Sequence, residues 1–288
     1  MSAAAATTNE RRPPIAATTA ARLLSLIVAL AAFVVVFGPA RRAAQRFGSP
    51  FGAAIPVYFQ RLLCAGLGVK VRRHGTFSSG PKRLIVANHV SWLDIPVVGS
   101  LGPMSFLAKR EVGDHPIGRM LIAMQGVVYV DRSRRSGIPA VNARMVQAIR
   151  AGSAVVLFAE ATTGDGNRLL RFRSSHFEAV RLAACSDNEG PAVIQPVYLH
   201  YSSVAGLPTV RWQRPRIAWY GDMTFLPHFL QYVRGGGVTC DVYCGPPIRV
   251  LPDMDRKTAA RLTKSAVREL AAKARFGIAA ILPAGEIA

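Results

Sequence analysis

A chain of 288 residues, half of them hydrophobic, holds enough apolar side chains for one large α/β domain with a complete core, or for two small ones. Its 36 basic against 16 acidic side chains leave a net charge of +20, so its surface seeks a polyanion: nucleic acid, an anionic membrane face or an acidic carrier protein. The basic residues are scattered singly, with no long Lys/Arg block and no recognition-helix, zinc-finger or RNP-type pattern, which argues against nucleic acid. Cys64, Cys185, Cys240 and Cys244 form no C-x-x-C pair and have no histidine at zinc spacing, so they read as buried free thiols.

Residues 1–20 are rich in Ala, Thr and Pro and read as a disordered lead-in. From Leu23 to Ala40 no charged residue occurs, a run at the short end of the roughly 20 residues a membrane span needs. A signal peptide is the competing reading, but Gly38-Pro39-Ala40-Arg41-Arg42 is a poor cleavage site. Arg22 on one side against Arg41, Arg42 and Arg46 on the other favours a cytoplasmic C-terminal side. The segment is read as a single anchor, spanning or deeply embedded. Phe51 to Val71, apolar with Tyr58, Phe59 and Arg61, reads as an interfacial helix. Residues 21–71 thus form the membrane part, and 72–288 the remaining domain.

That domain alternates strand and helix signals. Strands are expected at 84–87, 105–108, 127–130, 155–158, 193–199, 216–220 and 238–243. Helices are expected at 139–151, with Pro139 near the start and Gly152 after the end, at 225–233, and at 256–276 with an amphipathic pattern. Such alternation predicts an α/β fold: a mixed, mostly parallel sheet flanked by helices, preceded by the N-terminal membrane helix and the interfacial helix.

Leu84-Ile85-Val86-Ala87 is an apolar run typical of a strand covered on both faces. Asn88-His89-Val90-Ser91-Trp92-Leu93-Asp94 follows, with Asn88 and Ser91 as turn and N-cap residues and Pro96 limiting where the helix starts. Residues five apart on one helix point to different sides at roughly 100° per residue, so His89 and Asp94 meet only if His89 lies in the turn before the helix. A carboxylate there accepts a proton from one imidazole nitrogen, fixes the tautomer and leaves the other nitrogen as a general base. This is base and orienter without an adjacent serine, so a substrate hydroxyl supplies the nucleophile. The plain alternative is a helix-capping Asp beside a half-buried His.

Gly126-Val127-Val128-Tyr129-Val130-Asp131-Arg132 delivers Arg132 at a strand exit, where a forked guanidinium suits phosphate or carboxylate. Lys109 stands at the exit of the preceding strand. Leu157-Phe158-Ala159-Glu160-Ala161-Thr162-Thr163 places Glu160 after a buried strand, where a lone charge is costly and needs partners. It either holds the loop by accepting backbone N–H groups or orients a substrate. Ile194-Gln195-Pro196-Val197-Tyr198 is a strand with a proline, which implies an edge or a bulge.

Together these four blocks, over roughly residues 84–200, resemble the motifs of the glycerolipid acyltransferase family, the lysophosphatidic acid acyltransferase type. His89-x4-Asp94 is similar to its first motif and Gly126–Arg132 to its second, and Lys109 falls where the family often has a lysine. The third departs from F-P-E-G-T-R-S: Ala159 stands for Pro, Ala161 for Gly and Thr163 for Arg, while Glu160 and Thr162 match. The lost arginine removes one phosphate ligand, for which Arg168, Arg171 or Arg173 are the candidates to substitute. The lost glycine matters if the backbone there needs a positive φ. Residues 163–168 and 219–223 resemble a bacterial branch that includes the lyso-ornithine lipid acyltransferases.

The resemblance implies acyl transfer from an acyl carrier protein or acyl-CoA thioester to the hydroxyl of a lysolipid such as 1-acyl-glycerol-3-phosphate, or lyso-ornithine lipid in the alternative. His89 and Asp94 are the expected catalytic residues, and Lys109, Arg132, Glu160 and Thr162 the expected substrate-binding ones. No metal or redox cofactor is expected. An anionic inner-membrane face with the domain in the cytoplasm is the expected setting. The rival from another class is a basic membrane- or nucleic-acid-binding protein without catalysis, supported by charge alone. Reporters fused after residue 20 and after residue 45 are expected to read out opposite compartments; the same compartment for both would refute a span.

Overall fold

The computed structural model describes residues 15–49, 51–109, 124, 126–130, 137–185, 191–251 and 253–276, with the backbone alone at 15–18, 108–109 and 126–130. Two helices lead, α1 (Ile15–Arg46) and α2 (Phe51–Leu67). Then come β1 (Val69–His74), β2 (Arg83–Ala87), α3 (Asp94–Gly99), β3 (Met104–Lys109), β4 (Gly126–Val130), α4 (Ile138–Arg150) and β5 (Ala154–Phe158). After a 3-10 turn at Ser174–Phe177 follow α5 (Glu178–Ala184), β6 (Ala192–Val204), β7 (Leu207–Pro208), α6 (Phe225–Val233), β8 (Val238–Cys244), β9 (Ile248–Val250) and α7 (Arg256–Phe276).

The strands form one sheet in the order β1-β8-β6-β2-β5-β3-β4, with β7 and β9 also paired to β6. From β6 to β4 every pairing on this path is parallel, and β8 runs antiparallel to β6. Burial explains why β2 is apolar without alternation: Leu84, Ile85, Val86 and Ala87 are at most 1% exposed because both faces of the sheet are covered. Ile85 and Ala87 point to a core shared with Leu26 and Leu30 of α1, Phe59 of α2, Val97 of α3 and Tyr232 of α6. Leu84 and Val86 point the other way, to Met145 and Ile149 of α4, Val180 of α5 and Val267 of α7. Burying each branched side chain stabilises the fold by about 1.5–3 kcal/mol, so a polar residue at any of these positions would be strongly disfavoured.

The expected α/β architecture is present, and the helices expected at 225–233 and 256–276 are found with those bounds. Three expectations are corrected. Residues 216–220 are no strand: Pro215 lies within a 3-10 turn at Arg211–Arg216, and Ile217 and Ala218 both donate backwards to the Arg214 carbonyl. Pro196 sits neither at an edge nor at a bulge but in β6, inside the sheet. It is tolerated because the pairing of β6 with β9 ends at Ile194 and that with β8 begins at Val197, so the proline spans the changeover and only its carbonyl is used, by the Gly245 N–H. Ser91 does not cap α3; Leu93 occupies that position, and Pro96 falls in the first turn, where its missing N–H costs nothing.

The N-terminal segment read as the membrane part is a helical hairpin. Helix α1 begins inside the stretch read as a disordered lead-in, and from Thr19 to Arg46 it is long and apolar enough to cross a membrane. Its inner side packs on α2, where Gly66 makes room: a Cβ there would collide with Leu26. Its outer side carries Leu24, Ile27, Val28, Val35 and Val36, all more than half exposed. Helix α2 lies between α1 and the sheet, with Ile55, Phe59, Cys64 and Leu67 buried. Its open stripe includes Phe51 and Tyr58, with Arg61 over the Tyr58 ring at 5.7 Å.

The turn after β5 holds a backbone strain. Ala161 adopts φ +60°, the left-handed region that disfavours a Cβ. Ala161→Gly is expected to raise unfolding stability by about 1 kcal/mol, read as a shifted urea or thermal midpoint.

Candidate active site

Parallel pairing of β2 with β5, β5 with β3 and β3 with β4 carries the C-terminal ends of all four strands to one edge of the sheet. His89 lies two residues beyond β2, Glu160 two beyond β5, and Lys109 ends β3. Such an edge is where open α/β sheets place their ligands. Arg132 lies outside the described residues, and of Lys109 only the backbone position is described.

His89 sits in the turn and Asp94 opens α3, as their spacing requires. The imidazole Nδ1 is 2.8 Å from Asp94 Oδ2. The same oxygen accepts the Val90 N–H at 2.6 Å and the Ser91 N–H at 2.9 Å, and the Tyr201 hydroxyl donates to Oδ1 at 2.7 Å. Asp94 is wholly buried, and these hydrogen bonds offset the cost of taking its charge out of water. With Nδ1–H given to the carboxylate, Nε2 is the basic nitrogen. The His89 side chain is 19% exposed, and the ring stacks on Phe158 with centroids 4.2 Å apart and planes 12° from parallel. Its position is therefore held by a carboxylate on one side and an aromatic face on the other.

The backbone of the turn is braced as well. Asn88, expected as a simple turn residue, bonds to the backbone of Leu199 in both directions, its Nδ2 donating at 3.2 Å and its Oδ1 accepting at 2.7 Å. The amide thereby extends the β2–β6 pairing one step past the strand end. The Glu160 carboxylate accepts the N–H of His89 at 3.1 Å and of Leu170 at 2.8 Å. Burial holds its pKa above the ordinary carboxylate value, and those two backbone donors offset that only in part. With each oxygen accepting one backbone N–H and only 5% of the residue exposed, Glu160 ties the His89 turn to its own loop, the first of the two roles its position suggested.

Residues 159–173 fold over this edge. Ala161 donates its N–H to the Phe158 carbonyl, Gly164 to His89 and Arg173 to Ala159. Thr162 is exposed at the turn, and Arg168, Arg171 and Arg173 are exposed along the loop. Arg214 holds the far end, donating to the Gly166 carbonyl at 2.7 Å and to Asn167 Oδ1 at 3.0 Å. Trp219 donates its N–H to the Val90 carbonyl. The segments 163–168 and 219–223, more than fifty residues apart in sequence, therefore dock on the turn that carries His89. Tyr201 and Phe158 were missed as site residues from sequence. Tyr201 carries no local signal, because its role depends on β6 lying beside β2.

A sequence profile of the acyltransferase family matches residues 68–200. The chain is 36% identical over 223 residues to a lyso-ornithine lipid O-acyltransferase of Brucella abortus, covering 77% of this chain and 84% of that one. A 1-acyl-sn-glycerol-3-phosphate acyltransferase of Neisseria meningitidis is 32% identical over 139 residues, 45% of this chain and 53% of that protein. The crystal structure of the 1-acyl-sn-glycerophosphate acyltransferase PlsC from Thermotoga maritima shares the fold, with a TM-score of 0.59 at 15% identity, over 89% of this chain and 98% of that one. With a relative matched over most of both lengths and a solved structure of the same fold, the chain belongs to the acyltransferase family.

Proposed function

We propose that this acyltransferase moves a fatty acyl group from a thioester, carried by acyl carrier protein or CoA, to the free hydroxyl of a lysolipid. The observation that carries the reading is the His89 Nδ1 contact to buried Asp94, which leaves Nε2 as a base beside a partly open edge. Nε2 takes the proton of the acceptor hydroxyl, and that oxygen attacks the thioester carbonyl. The C–O bond forms, the C–S bond breaks, and the leaving thiolate takes the proton back from the imidazolium. No acyl-enzyme is needed. Backbone N–H groups near the Glu160–Thr162 turn are the candidates to steady the oxyanion, except that of Ala161, which is committed to Phe158. The step uses no metal or redox cofactor.

Lyso-ornithine lipid is the acceptor we favour over 1-acyl-glycerol-3-phosphate. The relative with that name is matched over most of this chain, and both segments that resemble its branch touch the turn of the base. The third motif also lacks the arginine that would serve a phosphate. Arg132, Lys109 and Thr162 remain the proposed contacts to head group or donor, with Arg168, Arg171 and Arg173 as further cations.

The apolar outer side of α1 and the net charge of +20 support attachment to an anionic membrane face, with the domain on the cytoplasmic side of the inner membrane. An acceptor with one acyl chain stays in the bilayer, so the enzyme has to work at its surface.

Purified protein offered a panel of lysolipids with labelled acyl thioester is expected to acylate lyso-ornithine lipid; acylation of 1-acyl-glycerol-3-phosphate alone would reverse the acceptor assignment. His89→Ala is expected to lower turnover by roughly 100-fold to 10,000-fold while the protein stays folded and still binds lipid vesicles; normal activity ends the proposal. Glu160→Ala orphans two backbone N–H groups at about 1–3 kcal/mol each, so a lower denaturation midpoint is expected together with reduced turnover.

A further inference from the structure

We propose that Tyr201 is a positioning residue for the catalytic pair, holding the Asp94 carboxylate in the orientation that presents His89 to the acceptor hydroxyl. This rests on the reading of His89 as the base. The phenol donates to Asp94 Oδ1 at 2.7 Å, while the imidazole and two backbone N–H groups share Oδ2. Among the described residues Tyr201 is the donor to Oδ1, so it fixes the oxygen that the other three leave untouched. The backbone donors and His89 all converge on Oδ2, so the Tyr201 bond is what holds the second oxygen and keeps the carboxylate gripped at both ends.

Two further observations separate Tyr201 from an ordinary core tyrosine. The pairing of β6 with β8 slips between Tyr201 and Ser203, so the strand is irregular directly after the residue that points at Asp94. Bulges of this kind re-aim side chains beside active sites. Two residues earlier on the same strand, Leu199 donates its N–H to Asn88 and accepts from it at its carbonyl, so β6 grips the base's turn at one point and its carboxylate at the next alternate position. Burial and the neighbouring Asp94 charge push the phenol well above its ordinary pKa, so it remains a hydrogen-bond donor.

The test compares wild type, Tyr201→Phe, Asp94→Asn and the double variant in steady-state acyl transfer from an acyl thioester to lysolipid in mixed micelles. Phe fills the same space without the donor. A fall in kcat of about 10-fold to 100-fold with KM within about twofold is expected, by analogy with loss of other groups that orient a catalytic residue from behind. In the Asp94→Asn background the same substitution is expected to have little further effect, since both act on one element. Unchanged kcat in folded Tyr201→Phe, or an equal loss in both backgrounds, would overturn the inference. If Tyr201→Phe does not fold, 3-fluorotyrosine at position 201 keeps the ring. Its fluorine NMR resonance is expected to shift on Asp94→Asn, and no shift would overturn the inference. His89→Ala is assayed alongside. If it retains activity, the reading of the base fails. If it is inactive while Tyr201→Phe behaves as wild type, only the role of Tyr201 fails.

Discussion

A carboxylate with no access to water has to find all its hydrogen-bond donors inside the protein, and Asp94 finds them on two separate pieces of chain besides its own helix. The turn after β2 supplies the His89 imidazole and the N–H groups of Val90 and Ser91, the first residue of α3 supplies the carboxylate itself, and β6 supplies the Tyr201 hydroxyl. Losing one donor would leave a buried charge partly unpaired, which costs far more than an exposed ion pair is worth. The register of β2 against β6 is thereby tied to the chemistry: Ala87 pairs with Val197, Asn88 bonds Leu199, and Tyr201 reaches Asp94. A slip of one residue would turn Tyr201 to the opposite face of the sheet.

Glu160 plays the matching part on the other side of β2. It is a second buried carboxylate, and its oxygens join the N–H of His89 to that of Leu170, so the loop after β5 and the turn after β2 move as one body. The strained Ala161 is next to it, and the Arg214 clamp closes the far end of the loop. An element that carries exposed Thr162 and three exposed arginines is thus fixed relative to His89 by hydrogen bonds as well as by the buried Ala159 and Phe172. Such an arrangement suits a site that has to hold a charged head group in a defined place while remaining open to it.

The two faces of the sheet have different tasks. One is closed by α4, α5 and α7 in an ordinary core. The other is closed by α1, α2, α3 and α6, the layer that contains both the catalytic turn and the helix whose outer side is apolar. Because α2 is packed between α1 and the sheet, the N-terminal helix pair is continuous with the domain core and not joined to it by a linker.

Local patterns were legible in the residues themselves. The buried strand at 84–87, the helices at 225–233 and 256–276, the apolar N-terminal segment and the His89–Asp94 pair each follow from periodicity or from the reach of neighbouring side chains, which depend on a few residues at a time. The sense of Ala161 came from the resemblance to the family's third motif, where a glycine stands, and the positive φ agrees with it. What only the tertiary structure decided are contacts between distant segments: Tyr201 on Asp94 across 107 positions, Asn88 on Leu199 across 111, and Trp219 on Val90. Pro196 misled because its tolerance depends on a change of partner strand. Residues 216–220 misled because their apolar character serves packing against the turn of the base and not a ladder. Side-chain chemistry is written along the chain, but which donors reach a buried carboxylate is decided by strand order and register, and these come from the packing of the whole sheet.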